Sequence, residues 1–206
     1  MTELFSYTTL ARPVRHETDK VKGSRFIADL APVVDAAGAE AVIAAVRAEF
    51  PDANHHCYAW RLDPAGKATR AYDDGEPGAS AGQPILRQLE GKGVTGIVAV
   101  VTRYFGGTKL GVGGLMRAYG GAAGEAVDRA DLIEVRVQKR ALLEYPYEVS
   151  GPVEGVLAAY EAVAEEPVYG ADVRCTVRLE LERFGAFAEE LGERTAGRAR
   201  LTEVTR

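Results

Sequence analysis

At 206 residues, 47% hydrophobic and 27% charged, the chain exceeds the usual size of one domain and carries enough apolar material for two cores. That composition excludes a disordered or low-complexity chain. A formal charge of -5 excludes a generic polycationic nucleic-acid coat but not a local basic patch, because residues 1–133 are nearly neutral (15 basic, 16 acidic) while residues 134–206 hold most of the excess acid (10 and 14). The two cysteines, Cys57 and Cys175, lie far apart with no metal-type pairing, so a reducing cytoplasm is expected and neither a disulfide framework nor a metal site is. The N-terminus has no apolar core of the secretory kind, and no run reaches the roughly 18 apolar residues of a membrane span. A single Asn, two Met and an excess of Arg over Lys (19 to 6) fit a thermophilic source, and equally a GC-rich genome.

In chain order, Leu4–Arg12 reads as an opening strand closed by Pro13, and Ser24–Leu30 as a second, followed by Ala31-Pro32. Asp35–Phe50 has helical periodicity, with Ala41, Val42, Ala45, Val46 and Phe50 on one face and Pro51 at its end. His56–Leu62 and Ala68–Tyr72 flank the turn Asp63-Pro64-Ala65-Gly66 and form a predicted hairpin. Asp73–Gly82 is a polar loop, Pro84–Glu90 a short helix with Pro84 in its first turn, and Val94–Thr102 a buried strand of β-branched and apolar residues. A glycine-rich segment then opens a helix over Gly114–Ala130. Beyond Asp131 the pattern gives one or two strands over Leu132–Val149 and a helix over Pro152–Val163. Strands at Pro167–Tyr169 and Val173–Glu182, a helix at Phe184–Thr195 and a strand at Arg200–Val204 follow. The order βαββαβ from about Ala141 is the split βαβ, ferredoxin-like motif. The predicted class is therefore α+β, with a βα domain over residues 1–134 and a ferredoxin-like domain over residues 135–206.

Three segments carry chemistry. The first, Arg103 to Tyr119, lies between a strand and a helix. Its glycines, including Gly106, Gly107 and Gly113, permit tight turns that expose backbone N–H groups. Arg103, Lys109 and Arg117 add positive charge with no acid between them, and a helix N-terminus favours anions. Those residues, with Thr108, form a candidate phosphate or carboxylate site, and Tyr104 and Phe105 are candidates to stack on a base. Thr108-Lys109-Leu110 does not satisfy the Walker pattern, and Met116 stands where a dinucleotide fingerprint from Gly111 needs glycine. The competing reading is a tight strand–helix junction that binds nothing.

The second segment, Asp73 to Pro84, places Asp73, Asp74 and Glu76 close together. These carboxylates suit acid–base or Mg2+ chemistry, pairing with Arg103 or Lys109, or turn capping, with Ser80 as a cap for the following helix. In the third, Asn54 to Trp60, strand alternation puts His55 and His56 on opposite faces, so they cannot share a metal. His55 and Cys57 share a face, either as a nucleophilic pair or as a core thiol beside a hydrogen-bonded histidine.

Together these motifs resemble the IMPACT/YigZ family. Asn54–Trp60 is similar to its His-x-Cys strand, and Asp73–Pro77 with Ala81–Pro84 to its acidic loop. Arg103–Gly111, Gly113–Leu115 and Arg117–Tyr119 are similar to its longest motif. The family often has Ser-Gly-Thr after Glu-Pro, where this chain has Gly78-Ala79-Ser80, so a hydroxyl is absent at 78. The resemblance implies an N-terminal domain of the ribosomal-protein and elongation-factor type and a C-terminal domain similar to the last domain of elongation factor G. It also implies a stress-linked translation regulator acting through contacts rather than catalysis, as eukaryotic relatives do. The leading expectation is a cytoplasmic, non-enzymatic protein that binds RNA or the ribosome through the basic Gly-rich segment, without cofactor or membrane. The alternatives are a protein-interaction adaptor, or a hydrolase of a small phosphorylated substrate using the Asp73–Glu76 loop, under which alone Mg2+ enters.

Overall fold

The structure, a computed structural model, describes residues 4–203. The chain divides into two compact units, Ser6–Val135 and a second comprising Arg136 onward with Leu4 and Phe5. Val204, expected to close the last strand, lies outside the described residues.

The first unit is built on a five-stranded sheet in the order β2-β3-β6-β4-β5, with β2 at Val14–Glu17, β3 at Arg25–Pro32, β4 at His55–Leu62, β5 at Ala68–Tyr72 and β6 at Ile97–Tyr104. Every neighbouring pair is antiparallel. Helix α1 (Ala36–Glu49) covers one face, and α2 (Gly82–Gly91) and α3 (Val112–Asp128) cover the other. Strand β6 is central and buried on both sides, which explains its unbroken apolar run. Its alternation sorts the core: Ile97, Ala99 and Val101 pack under α2 and α3, and Val98 and Val100 under α1. Strand β1 (Ser6–Leu10) pairs with β7 (Leu132–Arg136) in a separate two-stranded sheet.

The second unit has β8 (Gln138–Tyr145), α4 (Ser150–Ala159), β9 (Val163–Tyr169), β10 (Val173–Glu180), α5 (Leu181–Arg194) and β11 (Arg200–Glu203). Its sheet order β11-β8-β10-β9, all antiparallel, is the ferredoxin-like order 4-1-3-2. One face is closed by α4 and α5 over Leu143, Val177, Phe187 and Leu191. The α+β class and this topology are as expected.

The differences have local causes. The expected first strand is shorter, and a second strand, Val14–Glu17, forms just past Pro13 and hydrogen-bonds to β3 as a sheet edge. The buried stripe of α1 is Ala39, Ile43 and Val46, with Phe50 packed against it. Ala41 and Ala45, expected inside, face solvent, because Ala constrains the choice of face weakly. Helix α4 ends at Ala159, and residues 163–166, expected as helix end and loop, belong to β9. That strand is an edge with a register shift opposite Arg174–Thr176, which accommodates Pro167 and the positive φ of 52° at Glu166.

Leu143, fully buried at the centre of the second core, gives a direct test of this packing. Leu143→Ala is expected to lower stability in urea denaturation by about 2–5 kcal/mol.

Candidate functional site

A cleft of about 510 Å³ opens on the α2–α3 side of the first unit, where the β6 end meets the start of α3. Its walls include Phe105, Leu110, Val112, Leu115 and Pro77, and its polar lining is Asn54, His55, Glu76, Arg103 and Lys109. Strand register creates the floor: β4 and β6 pair so that His55 lies beside Arg103, and β3 places Phe26 on its other side. Arg103 therefore emerges where the apolar stripe of β6 ends, and it is only 5% exposed.

A charge so deeply placed needs a partner, and the acidic loop supplies it. Glu76 Oε1 accepts from Arg103 Nη1 at 2.5 Å and from the Tyr119 hydroxyl of α3 at 2.7 Å. Its side chain is 5% exposed, and Oε2 makes no hydrogen bond among the described residues. Arg103 Nη2 reaches Ser24 Oγ at 3.4 Å, and its buried Nε has no acceptor. His55 Nδ1 lies 2.8 Å from the Asp74 carbonyl. A carbonyl can only accept, so Nδ1 carries a proton, and Nε2 lies 3.9 Å from Glu76 Oε1.

The remaining carboxylates of the loop hold it in shape. Asp73 accepts from the backbone N–H groups of Ala79, Ala81 and Gly82, so it caps the start of α2. Ser80, expected as that cap, is instead buried with its Oγ unpartnered. Asp74 accepts from Arg47 and from the His56 N–H. Positive φ angles at Asp74 (45°) and Gly75 (86°) turn the chain so that Glu76 points inward. His56 faces the α1 side and reaches the Phe50 carbonyl, as strand alternation requires.

Cys57 lies under the loop, fully buried, with its thiol donating to the Asp73 carbonyl. Burial pushes its pKa well up, and burial raises that of Tyr119 as well. The nucleophilic pair considered for His55 and Cys57 is therefore not formed: no hydrogen bond joins them, and the thiol stays protonated. Among the described residues no group of three His, Cys, Asp or Glu is placed to hold a metal ion.

The Gly-rich segment divides between two places. Gly106 lies so close to the Gly23–Ser24 backbone that a Cβ would come within 1.9 Å of Gly23 C, and its N–H donates to Ser24 Oγ. Gly107, at φ 86°, and exposed Thr108 lead to Lys109. Gly111, at φ 72°, precedes α3 without a side-chain cap, and the first turn of α3, which contains Gly113, has no acid. The N–H groups of Val112, Gly113 and Gly114 donate to nothing among the described residues, nor does Lys109 form an ion pair there. Phe105 is 47% exposed on the cleft wall. Tyr104 points to the opposite sheet face, its hydroxyl on Asp52 and its ring under Arg25. Arg117 lines a separate groove with Val21, Lys22 and Gly114.

Arg103, Lys109, Phe105, Glu76 and His55 thus meet in one cleft, whereas Arg117, Tyr104, Asp73, Asp74, Ser80 and Cys57 lie outside it. Three contributors were not among the expected site residues. Asn54, whose Oδ1 accepts from Phe105 N–H, heads the third segment but was given no role in it. Tyr119 lies one turn beyond Leu115 on the buried face of α3. Ser24 had no distinguishing signal.

Comparison with known proteins gives two family matches: the Impact N-terminal domain over residues 22–127, and a domain of unknown function (DUF1949) over residues 143–198. The chain is 35% identical over 188 residues to the IMPACT family member YigZ of Escherichia coli (strain K12), covering 90% of this chain and 92% of that one. It is 42% identical over 159 residues to an IMPACT family member of Thermus thermophilus, covering 77% and 86%. A crystal structure described as that of a hypothetical protein superposes with a TM-score of 0.80 at 34% identity, covering 99% of this chain and all of the other.

Two expectations test the loop. Ala79 has φ 59°, a region costly for a residue with a Cβ, so Ala79→Gly is expected to stabilise the protein by about 0.5–1 kcal/mol in denaturant titration. Cys57 and Cys175 are both buried with raised pKa values, so neither is expected to react with a thiol reagent at pH 8 until denaturant is added.

Proposed function

The chain belongs to the IMPACT family, and on that premise we propose that it is a non-enzymatic, translation-associated regulator of the cytoplasm that binds RNA, free or on the ribosome, through the cleft at the start of α3. Membership suggests a translation-related regulatory protein; the choice of RNA rests on the site. One observation carries it: Gly111 and Val112 at the uncapped start of α3, Lys109 with no ion pair among the described residues, and half-exposed Phe105 all line one opening. The helix terminus and Lys109 suit a phosphate, and the Phe105 ring suits a stacked base. Arg103 is neutralised by Glu76, so the phosphate is held by Lys109 and the backbone rather than by the three cations together.

Commitment of the acidic loop to its own fold favours binding over hydrolysis. Asp73 is engaged by three backbone amides and Asp74 by Arg47, which leaves neither oriented toward the cleft as an acid or base.

Fluorescence anisotropy with a labelled single-stranded RNA, repeated across a salt series, tests the proposal. Affinity is expected to fall as salt rises, and Lys109→Ala is expected to reduce the log–log slope by about 0.7. Phe105→Ala is expected to cost about 1–3 kcal/mol. Absence of binding at about 50 mM salt, or wild-type affinity in both variants, would contradict it.

A further inference from the structure

We propose that the small groove on the far side of Leu110 holds a second phosphate of the same RNA strand, an inference that rests on the RNA reading and extends its contact path. The groove, of about 200 Å³, is lined by Val21, Lys22, Leu110, Gly114, Arg117 and Ala118, with two cations and no acid. Leu110 also walls the cleft, so it stands as the ridge between the two openings. It rests on Gly114, where a Cβ would come 3.0 Å from Leu110 Cβ. Lys22, at φ 48° beside Gly23 at 84°, sits in a two-residue turn closed by the reciprocal backbone bonds of Val21 and Ser24. That turn is pinned to the Gly-rich segment, because Gly23 and Gly106 pack too closely for either to carry a Cβ. Arg117 folds back along α3, and a Cβ at Gly113 would lie 3.7 Å from its Nη1. The two cations thus reach one groove from separate parts of the chain, each placed by a glycine contact.

The distribution of charge points to an anion from outside. Lys22, Lys109 and Arg117 are exposed and form no ion pair or side-chain hydrogen bond among the described residues, while nearby Arg25 and Arg103 are each matched to a glutamate. The chain carries 30 acidic against 25 basic side chains, so these cations do not stand alone for want of acids. Their setting is unfavourable without an anion. The first turn of α3 has no acid, and the Arg117 guanidinium lies beside it, at the helix end that repels positive charge. The order of features across the start of α3 matches a strand rather than an isolated ion. Within the cleft, Phe105 offers a face to a base and Lys109 a charge to its phosphate. Leu110 follows as an apolar ridge, and Lys22 with Arg117 meet the next charge beyond it. An acidic peptide would satisfy the cations but would leave half-exposed Phe105 with nothing to stack on.

Calorimetry with the full-length protein at about 50 mM salt tests the second position with adenine dinucleotides. ApA has a single phosphate, pApA a second at the 5′ end and ApAp a second at the 3′ end. One of the two doubly phosphorylated forms is expected to bind about tenfold tighter than ApA, and which one does so gives the direction of the strand across Leu110. Lys22→Ala combined with Arg117→Ala is expected to erase that gain and to leave the affinity for ApA within about twofold of wild type. The comparison of ApA with pApA and ApAp uses the unaltered protein and stands even if the double variant does not fold. Equal binding of the dinucleotides, or a gain that persists in the double variant, overturns the inference and leaves the RNA reading intact. Binding of a hexaglutamate peptide that the double variant abolishes, with no gain from a second phosphate, overturns it in favour of an acidic peptide. Absence of dinucleotide binding while a longer single-stranded RNA binds overturns the inference alone, and absence of both overturns the RNA reading with it.

Discussion

The buried ion pair between Arg103 and Glu76 is the interaction around which the candidate site is arranged. Neither member has a place in a low-dielectric interior alone, and removing one partner of such a pair typically costs about 3–5 kcal/mol. Meeting that requirement fixes the neighbourhood. The acidic loop must fold back over β4 to deliver Glu76, which it does through left-handed residues at 74 and 75 and the backbone bonds to Asp73. Helix α3 must bring the Tyr119 hydroxyl to the same oxygen, and that places its first turn at the cleft mouth. Gly106 must lie against Gly23 and Ser24 so that Ser24 Oγ can serve both the arginine and the loop. A buried ion pair is weak evidence for stability by itself, and here its consequence is position: it holds an acceptor, a cation and an aromatic ring around one opening.

Much of the fold was legible because period and punctuation agreed. The run over β6 announced a strand buried on both faces, and the elements after Ala141 announced their order, from which the sheet order follows by the known motif. What escaped was decided by tertiary pairing. Val14–Glu17 has three polar residues in four and becomes a strand because β3 offers it an edge. Residues 163–166 are Val-Ala-Glu-Glu, too short a mix to mark a strand, and they extend because β10 pairs with them across an irregular register.

At the site, residues of the three motif segments line one cleft, and residue type overstated what each side chain is free to do. Three carboxylates in four positions suggested catalysis, yet two stabilise their own loop and the third neutralises an arginine. Three cations suggested one phosphate cradle, yet only Lys109 faces the opening without a partner among the described residues. Sequence spacing carries residue identity, whereas the direction of a side chain depends on strand parity: Arg103 and Phe105 meet the cleft, and Tyr104 between them faces away. Membership of the IMPACT family gives these motifs a common context, and the cleft gives them a chemical one.

The most direct test of the account is backbone-amide chemical-shift mapping of the 15N-labelled full-length protein titrated with a short single-stranded RNA. The account predicts that the largest shifts fall on Val112, Gly113 and Gly114, with Phe105 and Lys109 close behind. Shifts confined to residues 138–203, with the α3 amides unmoved, would contradict it.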